Sequence, residues 1–203
     1  FAGDQNQWAF WLAGGSRRGG LAYPALRGTN QLLNASAVMA AYEAVRDILP
    51  VPMQAIRQGF MLVELPGRFQ VLPGRPTVVL DVAHNPQAAG VLNENLASMG
   101  FFSETWAVLG MLGDKDVAGV VRLLRDRVDH WLLASLPGPR GLSAARLAEI
   151  LRELGVSGDV SEHDSPRAAY QVARDGAAEG DRIVIFGSFL TVADVLAAVK
   201  APQ

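Results

Sequence analysis

From residue 76 onward, short runs that are apolar on both sides alternate with stretches whose apolar residues recur every three or four positions. "TVVLDVA", "TWAVLGML", "HWLLASL" and "RIVIFGSF" read as strands, with a shorter one over residues 158–161. Between them the spacing predicts helices over 86–99, 117–128, 143–154, one opened by Ser165 and Pro166, and a last one over 191–199. Val117, Val120, Val121 and Leu124 share a face of the second helix; Leu147, Ile150, Leu151 and Leu154 share a face of the third, and Gly155 lies just beyond its end. Strands that are apolar on both faces need a helical layer on each side. Residues 76–203 are therefore expected to form an α/β domain, a Rossmann-like, mostly parallel sheet with helices on both faces.

The pattern before residue 76 differs. "QWAFWLAGG" and "GGLAYPAL" are apolar runs separated by "GGSRRGG", which reads as a hairpin. An alanine-rich helix is expected over 30–49, stopped by "LPVP", and a second over 53–61. A two-stranded hairpin with one or two helices cannot bury its own apolar surface. Residues 1–64 are thus expected to be the end of a larger domain. The stretch 65–75, with two Pro-Gly-Arg repeats, reads as a linker to the domain over 76–203.

Composition narrows the function classes. Half of the 203 residues are hydrophobic and the formal net charge is −2, which suits a folded protein and argues against a general nucleic-acid binder. No apolar run approaches the ~18 residues of a membrane span, and no signal peptide opens the sequence. A cytoplasmic location is the expectation. With no cysteine, disulfides, thiolate metal sites and a cysteine nucleophile are excluded. Only Lys115 and Lys200 are lysines, which draws attention to where Lys115 falls.

Ligands of such sheets bind outside the carboxyl ends of the strands, and three of those ends are unusual. After "VVLD", Asn85 suits a helix cap and Pro86 the first helical position. Asp81 has no comparable structural reason: it is placed either to accept hydrogen bonds from a ribose or to serve as a second cap or an ion-pair partner. His84 precedes the cap, as a loop residue or a ligand contact. In "LGMLGDKDVAG", Gly113 permits a tight turn, Asp116 can cap the next helix, and Lys115 projects as a point charge for a phosphate or carboxylate, or into solvent. In "IFGSFLTVADV", Ser188 either offers its hydroxyl and N–H to an anion or simply starts a helix. Walker A, G-x-G-x-x-G in strand–helix context, H-E-x-x-H and G-x-S-x-G are all absent from the 203 residues.

Taken in order, "LPGRFQV", "VVLDVAHNPQAAG", "LGMLGDKD", "PGPRG" and "IFGSFLTVADVL" resemble the C-terminal half of the dihydrofolate synthase/folylpolyglutamate synthase family. That family is a branch of the Mur ligase superfamily of ATP-dependent amide-bond ligases. The preceding "TNQLLNAS" resembles the last helix of its central ATPase domain. The resemblance implies a Mur ligase C-terminal domain preceded by a remnant of the ATPase domain. It also implies ATP and Mg²⁺ as cofactors, with L-glutamate and dihydropteroate or folate as substrates. Neither nucleic acid nor membrane is implied as a partner, and the parent enzyme is expected to be monomeric. In such ligases a substrate carboxylate becomes an acyl phosphate, which the amine of glutamate attacks. Carried over by motif, Asn34 contacts adenine, Arg68 the ATP phosphates and Asp81 the ribose. His84, Lys115 and Ser188 fall near the glutamate. Asn30 stands where the family usually has histidine. The phosphate-binding loop and magnesium ligands would lie before Phe1, so the chain is expected to be a C-terminal fragment, inactive as a ligase alone. Two other readings remain: a monofunctional folylpolyglutamate synthase or other Mur-type ligase, or a non-catalytic nucleotide-binding α/β module.

Overall fold

A computed structural model describes residues 1–4, 7–13, 17–26 and 30–200. The chain divides into two compact units, Phe1–Leu65 and Pro66–Gln203.

In the first unit β1 (Ala2–Gly3), β2 (Trp8–Phe10) and β3 (Arg18–Leu21) form an antiparallel sheet in that order. The expected two-stranded hairpin therefore has a third short strand; residues 14–16 of its turn lie outside the described residues. Two helices follow, α1 (Gln31–Val45) and α2 (Met53–Leu62). Trp8, Phe10 and Leu21 pack with Ala35 and Met39 of α1 and with Ile56 and Phe60 of α2. The Trp8 indole N–H, buried with its ring, donates to the Ala22 carbonyl at 2.8 Å, as burial of that group requires. Leu33 and Val38 of α1, and Leu62 of α2, stay exposed.

The second unit is a six-stranded sheet, order β4-β5-β9-β6-β7-β8. Its strands are β4 (Gln70–Leu72), β5 (Thr77–Leu80), β6 (Thr105–Leu109), β7 (His130–Ala134), β8 (Asp159–His163) and β9 (Arg182–Phe186). All pairs are parallel except β4 with β5. The stretch read as a linker is thus partly an edge strand: Val71 sits opposite Val79 in the ladder. Its two Pro-Gly-Arg turns masked a three-residue strand too short to show alternation.

Helices α3 (Pro86–Ser98), α4 (Val117–Leu124) and α5 (Ala144–Glu153) cover one face, and α6 (Pro166–Gly176) with α7 (Phe189–Lys200) the other. Alternation within single strands makes this possible. Val79, Ala107 and Leu133 join the first layer, whereas Val78, Leu80, Val108 and Leu132 join the second. The chain steps β5→β6→β7→β8 in one direction with its helices on one face. It then returns through α6 on the other face to insert β9 between β5 and β6. Right-handed crossovers account for the change of side.

Polar side chains cap the helices. Asn85 accepts from Ala88 N–H at 2.9 Å, Asp116 from Gly119 N–H at 2.8 Å, and Ser165 from Ala168 N–H at 3.2 Å. At the amino ends of the strands, buried Arg182 donates to Thr105 Oγ1 at 2.9 Å and to the Leu96 carbonyl at 2.7 Å. Burial holds its guanidinium down at about 10. The opposite end of the sheet carries the cleft.

Candidate functional site at the carboxyl ends of the strands

Helices leave β5 and β6 toward one face and β9, lying between them, toward the other. Loops that diverge in this way open a crevice above the sheet. A cleft of about 180 Å³ lies there, lined by His84 after β5, Leu112 and Lys115 after β6, Arg140 after β7, and Gly187, Ser188 and Phe189 after β9.

The β5 end is a latch. Asp81 is half-buried; its Oδ1 accepts from Ala83 N–H at 2.8 Å and its Oδ2 from Phe69 N–H at 2.9 Å. Burial raises its pKa above the ordinary value, opposed by those two N–H groups and by the Arg68 charge. The turn it holds is tight. Phe69 adopts φ +44°, Val82 N–H donates to the Gly67 carbonyl at 2.9 Å, and a Cβ on Gly67 would sit 2.9 Å from Val82 Cγ1. Asp81 therefore has the structural role that the sequence did not reveal. Its carboxylate accepts both from a turn twelve residues upstream and from its own loop. Each carboxylate oxygen has a second lone pair, so the latch leaves acceptor capacity for a ligand. Arg68, carried on that turn, is exposed and lies 5.9 Å from the centroid of the Phe189 ring, within cation–π range. His84 Nδ1 is 2.9 Å from the Val82 carbonyl, which fixes the ring against its own loop.

The β6 end is cross-linked to the β7 end. Leu112 forms an antiparallel bridge with Gly141, Gly113 N–H donates to the Arg140 carbonyl at 2.8 Å, and Leu142 N–H to the Met111 carbonyl at 3.1 Å. Side chains complete the link. Arg140 Nη2 is 2.9 Å from both oxygens of Asp114, and Lys115 Nζ is 3.1 Å from Asp114 Oδ2. Arg140, and then Lys115, hold the Asp114 carboxyl down at about 2. Two cations share one carboxylate, so the group carries a net positive charge.

At the β9 end Gly187 adopts φ +105°, and a Cβ there would meet the Gly110 carbonyl oxygen at 2.5 Å. Only glycine fits such a position. Buried Ser188 starts α7: its Oγ accepts from Leu190 N–H at 3.2 Å. The hydroxyl hydrogen is not used by that bond. Thr191 Oγ1 donates to the Gly110 carbonyl at 2.8 Å, fastening α7 to the β6 loop.

Of the six residues named from sequence, His84, Lys115 and Ser188 line one cleft, and Arg68 reaches Phe189 at its edge. Asp81 lies under the Arg68 turn. Asn34 belongs to the first unit, exposed on α1, with its Nδ2 donating to Gln31 Oε1 at 3.3 Å. Sequence reasoning named neither Asp114 nor Arg140. The motif "PGPRG" flagged the second without giving it a role, because its partner lies 26 residues away. Among the described residues no group of three His, Asp or Glu side chains could hold a metal ion, and no helix is long and apolar enough to cross a membrane.

Fold and cleft together define a Rossmann-like α/β domain whose cleft, lined by Lys115 and Arg140, opens above the central strands. More narrowly, the chain belongs to the Mur ligase family: the model of the Mur ligase glutamate ligase domain matches residues 67–189. It is 40% identical over 168 residues to the dihydrofolate synthase/folylpolyglutamate synthase of Escherichia coli K12, covering 83% of this chain and 38% of that protein. The Mycobacterium tuberculosis enzyme of the same name is 34% identical over 185 residues, with 83% and 38% covered. The chain thus spans about two fifths of the length of these relatives. A solved structure of E. coli FolC in complex with ADP, without folate substrate, superposes with a TM-score of 0.84 at 37% identity, over 98% of this chain and 45% of that one. A bifunctional folylpolyglutamate synthase/dihydrofolate synthase with Mn, AMPPNP and L-glutamate bound gives 0.82 at 41% identity, over 98% and 45%.

Proposed function

We propose that the chain forms the glutamate-handling and nucleotide-contacting part of an ATP-dependent ligase that joins L-glutamate to dihydropteroate and to reduced folates. One observation carries this reading. His84, Lys115 and Ser188 come from three different strand ends and line a single cleft whose cations outnumber its carboxylate. Such a cleft suits a small ligand carrying two carboxylates, since Lys115 and Arg140 supply two donors of positive charge and the Ser188 hydroxyl a neutral one. Relatives that share the fold include one solved with L-glutamate bound, which supports the same reading.

In this account Phe1–Leu65 is the end of the central ATP-binding domain and Pro66–Gln203, with the edge strand β4, the glutamate-ligase domain. Asn34 contacts adenine, Arg68 the phosphates and Asp81 the ribose. Nucleotide fits what surrounds Arg68: an exposed guanidinium on a turn held rigid by Asp81 is a ready phosphate partner. ATP supplies the phosphoryl group that turns the acceptor's carboxylate into an acyl phosphate. His84, Lys115 and Ser188 then hold glutamate with its amine free to attack. Their contribution is positioning and charge neutralisation. Mg²⁺ takes its ligands from outside the described residues of this chain, and so does the γ-phosphate, for which these 203 residues hold no Walker A loop. The 203 residues alone are accordingly inactive.

The test joins residues 66–203 to the ATP-binding portion of the E. coli relative and follows incorporation of labelled glutamate into dihydropteroate and, separately, tetrahydrofolate. Incorporation with both acceptors supports the bifunctional reading, and with tetrahydrofolate alone the monofunctional one. A folded product that binds ATP and incorporates nothing contradicts the ligase assignment.

A further inference from the structure

Among the described residues Asp114 is the carboxylate ion-paired with the cleft's Lys115 and Arg140, and it has no role in the reading above. Its geometry is specific. Arg140 engages it with Nη2 at 2.9 Å to each oxygen and Nε at 3.3 Å to Oδ1, while Lys115 Nζ approaches Oδ2 at 3.1 Å. Arg140 stands on the loop after β7 and Lys115 on the loop after β6, so one carboxylate ties together cations from two strand ends. The backbone reinforces the tie through Gly113 N–H to the Arg140 carbonyl and the Leu112–Gly141 bridge. Arg140 has no other ion-pair partner among the described residues. Without Asp114, two long side chains of like charge would splay into solvent, and ordering them on ligand binding would cost side-chain entropy.

We infer that Asp114 is a positioning residue that presents Lys115 and Arg140 as a pair at the mouth of the cleft, and that this pair selects an amino acid carrying two carboxylates over one carrying a single carboxylate. The inference rests on the cleft taking glutamate. Asp114 touches no ligand itself. It holds the two cations close to each other, at 2.9 and 3.1 Å from one carboxylate, while cancelling one of their charges. The remaining net positive charge attracts a ligand with two carboxylates. A monocarboxylate such as glutamine satisfies one cation and leaves the other with Asp114 alone, so the selectivity comes from the second contact.

The experiment is calorimetric titration of the 203-residue chain with L-glutamate and with L-glutamine, repeated for D114A, D114E, R140A and the double variant D114A/R140A. Amide spectra of each variant establish that it is folded. The wild-type chain is expected to prefer glutamate over glutamine by at least about tenfold, the scale of one charge-assisted contact. D114A is expected to weaken glutamate by about tenfold while changing glutamine by less than about threefold, and D114E to recover most of the loss. The double variant should bind glutamate no worse than R140A alone, because the aspartate acts through the arginine. Equal glutamate affinity in wild type and D114A, or additive losses in the double variant, would overturn the positioning role while leaving the cleft intact. Failure of the wild-type chain to bind glutamate would remove the cleft reading, and this inference with it.

Discussion

Replacing Asp81 with alanine removes the acceptor for two backbone N–H groups at once, Phe69 at 2.9 Å and Ala83 at 2.8 Å. A donor left without a partner in a buried place costs about 1–3 kcal/mol. The site is half-buried, so each loss should fall near the lower end of that range. Against this, the variant no longer holds a carboxylate that burial disfavours in its charged form. The net expectation is a loss of about 2 kcal/mol in the second unit. Phe69 gives the result a local signature. A non-glycine residue in the left-handed region costs about 1–2 kcal/mol, and at φ +44° its N–H bond to Asp81 is part of what keeps it there. Once that bond is gone the turn relaxes and Arg68 loses its fixed place. Urea unfolding with residue-resolved hydrogen exchange reads both consequences: the amides of Phe69 and Ala83 should lose protection by tenfold or more while the β6 and β7 amides track the global change. D81N also carries a pH arm. The folded-state pKa of Asp81 is raised, so its ionisation opposes folding, and the wild type should lose stability as pH rises from the ordinary carboxylate range through the raised value. D81N lacks that slope. Unchanged protection at Phe69 and Ala83 in D81A, with a stability loss under about 0.5 kcal/mol, would refute the latch.

Two further expectations follow from geometry. G187A places a Cβ 2.5 Å from the Gly110 carbonyl oxygen at φ +105° and should cost about 3 kcal/mol or more in a urea titration; G90A in α3, whose Cβ would meet nothing within 4 Å, should instead gain about 0.5–1 kcal/mol in the same experiment. The Asp114 carboxyl lies at about 2, below the ordinary aspartate value of 3.8, so its tie to Arg140 and Lys115 is complete above the higher value and is lost as pH falls through the lower one. An NMR titration of the Asp114 carboxyl carbon should therefore show its midpoint near the lower value in wild type and move upward in R140A; a midpoint that R140A leaves in place would contradict the pairing.

The layered α/β architecture was legible because period-two and period-3.6 patterns alternate cleanly after residue 76, and because the caps Asn85, Asp116 and Ser165 each have a local cause. What escaped the sequence was non-local. Strand β4 is three residues long and hides between turn signals; it is defined by its pairing with β5. The work of Asp81 depends on Phe69 N–H, and that of Asp114 on Arg140, partners that only the closed sheet brings near. The position of β9 between β5 and β6 brings Ser188 beside His84 and Lys115, and strand order is not written in periodicity. The three residues could be named singly, but their convergence belongs to the topology.

The central claim is that the cleft between the ends of β5, β6 and β9 takes glutamate. Its most direct test is an amide NMR titration of the 203-residue chain with L-glutamate, followed residue by residue. The account predicts that His84, Lys115, Gly187 and Ser188 shift together with one saturating midpoint, and that K115A abolishes the response. Shifts confined to other parts of the chain, or none at these four residues, would contradict it.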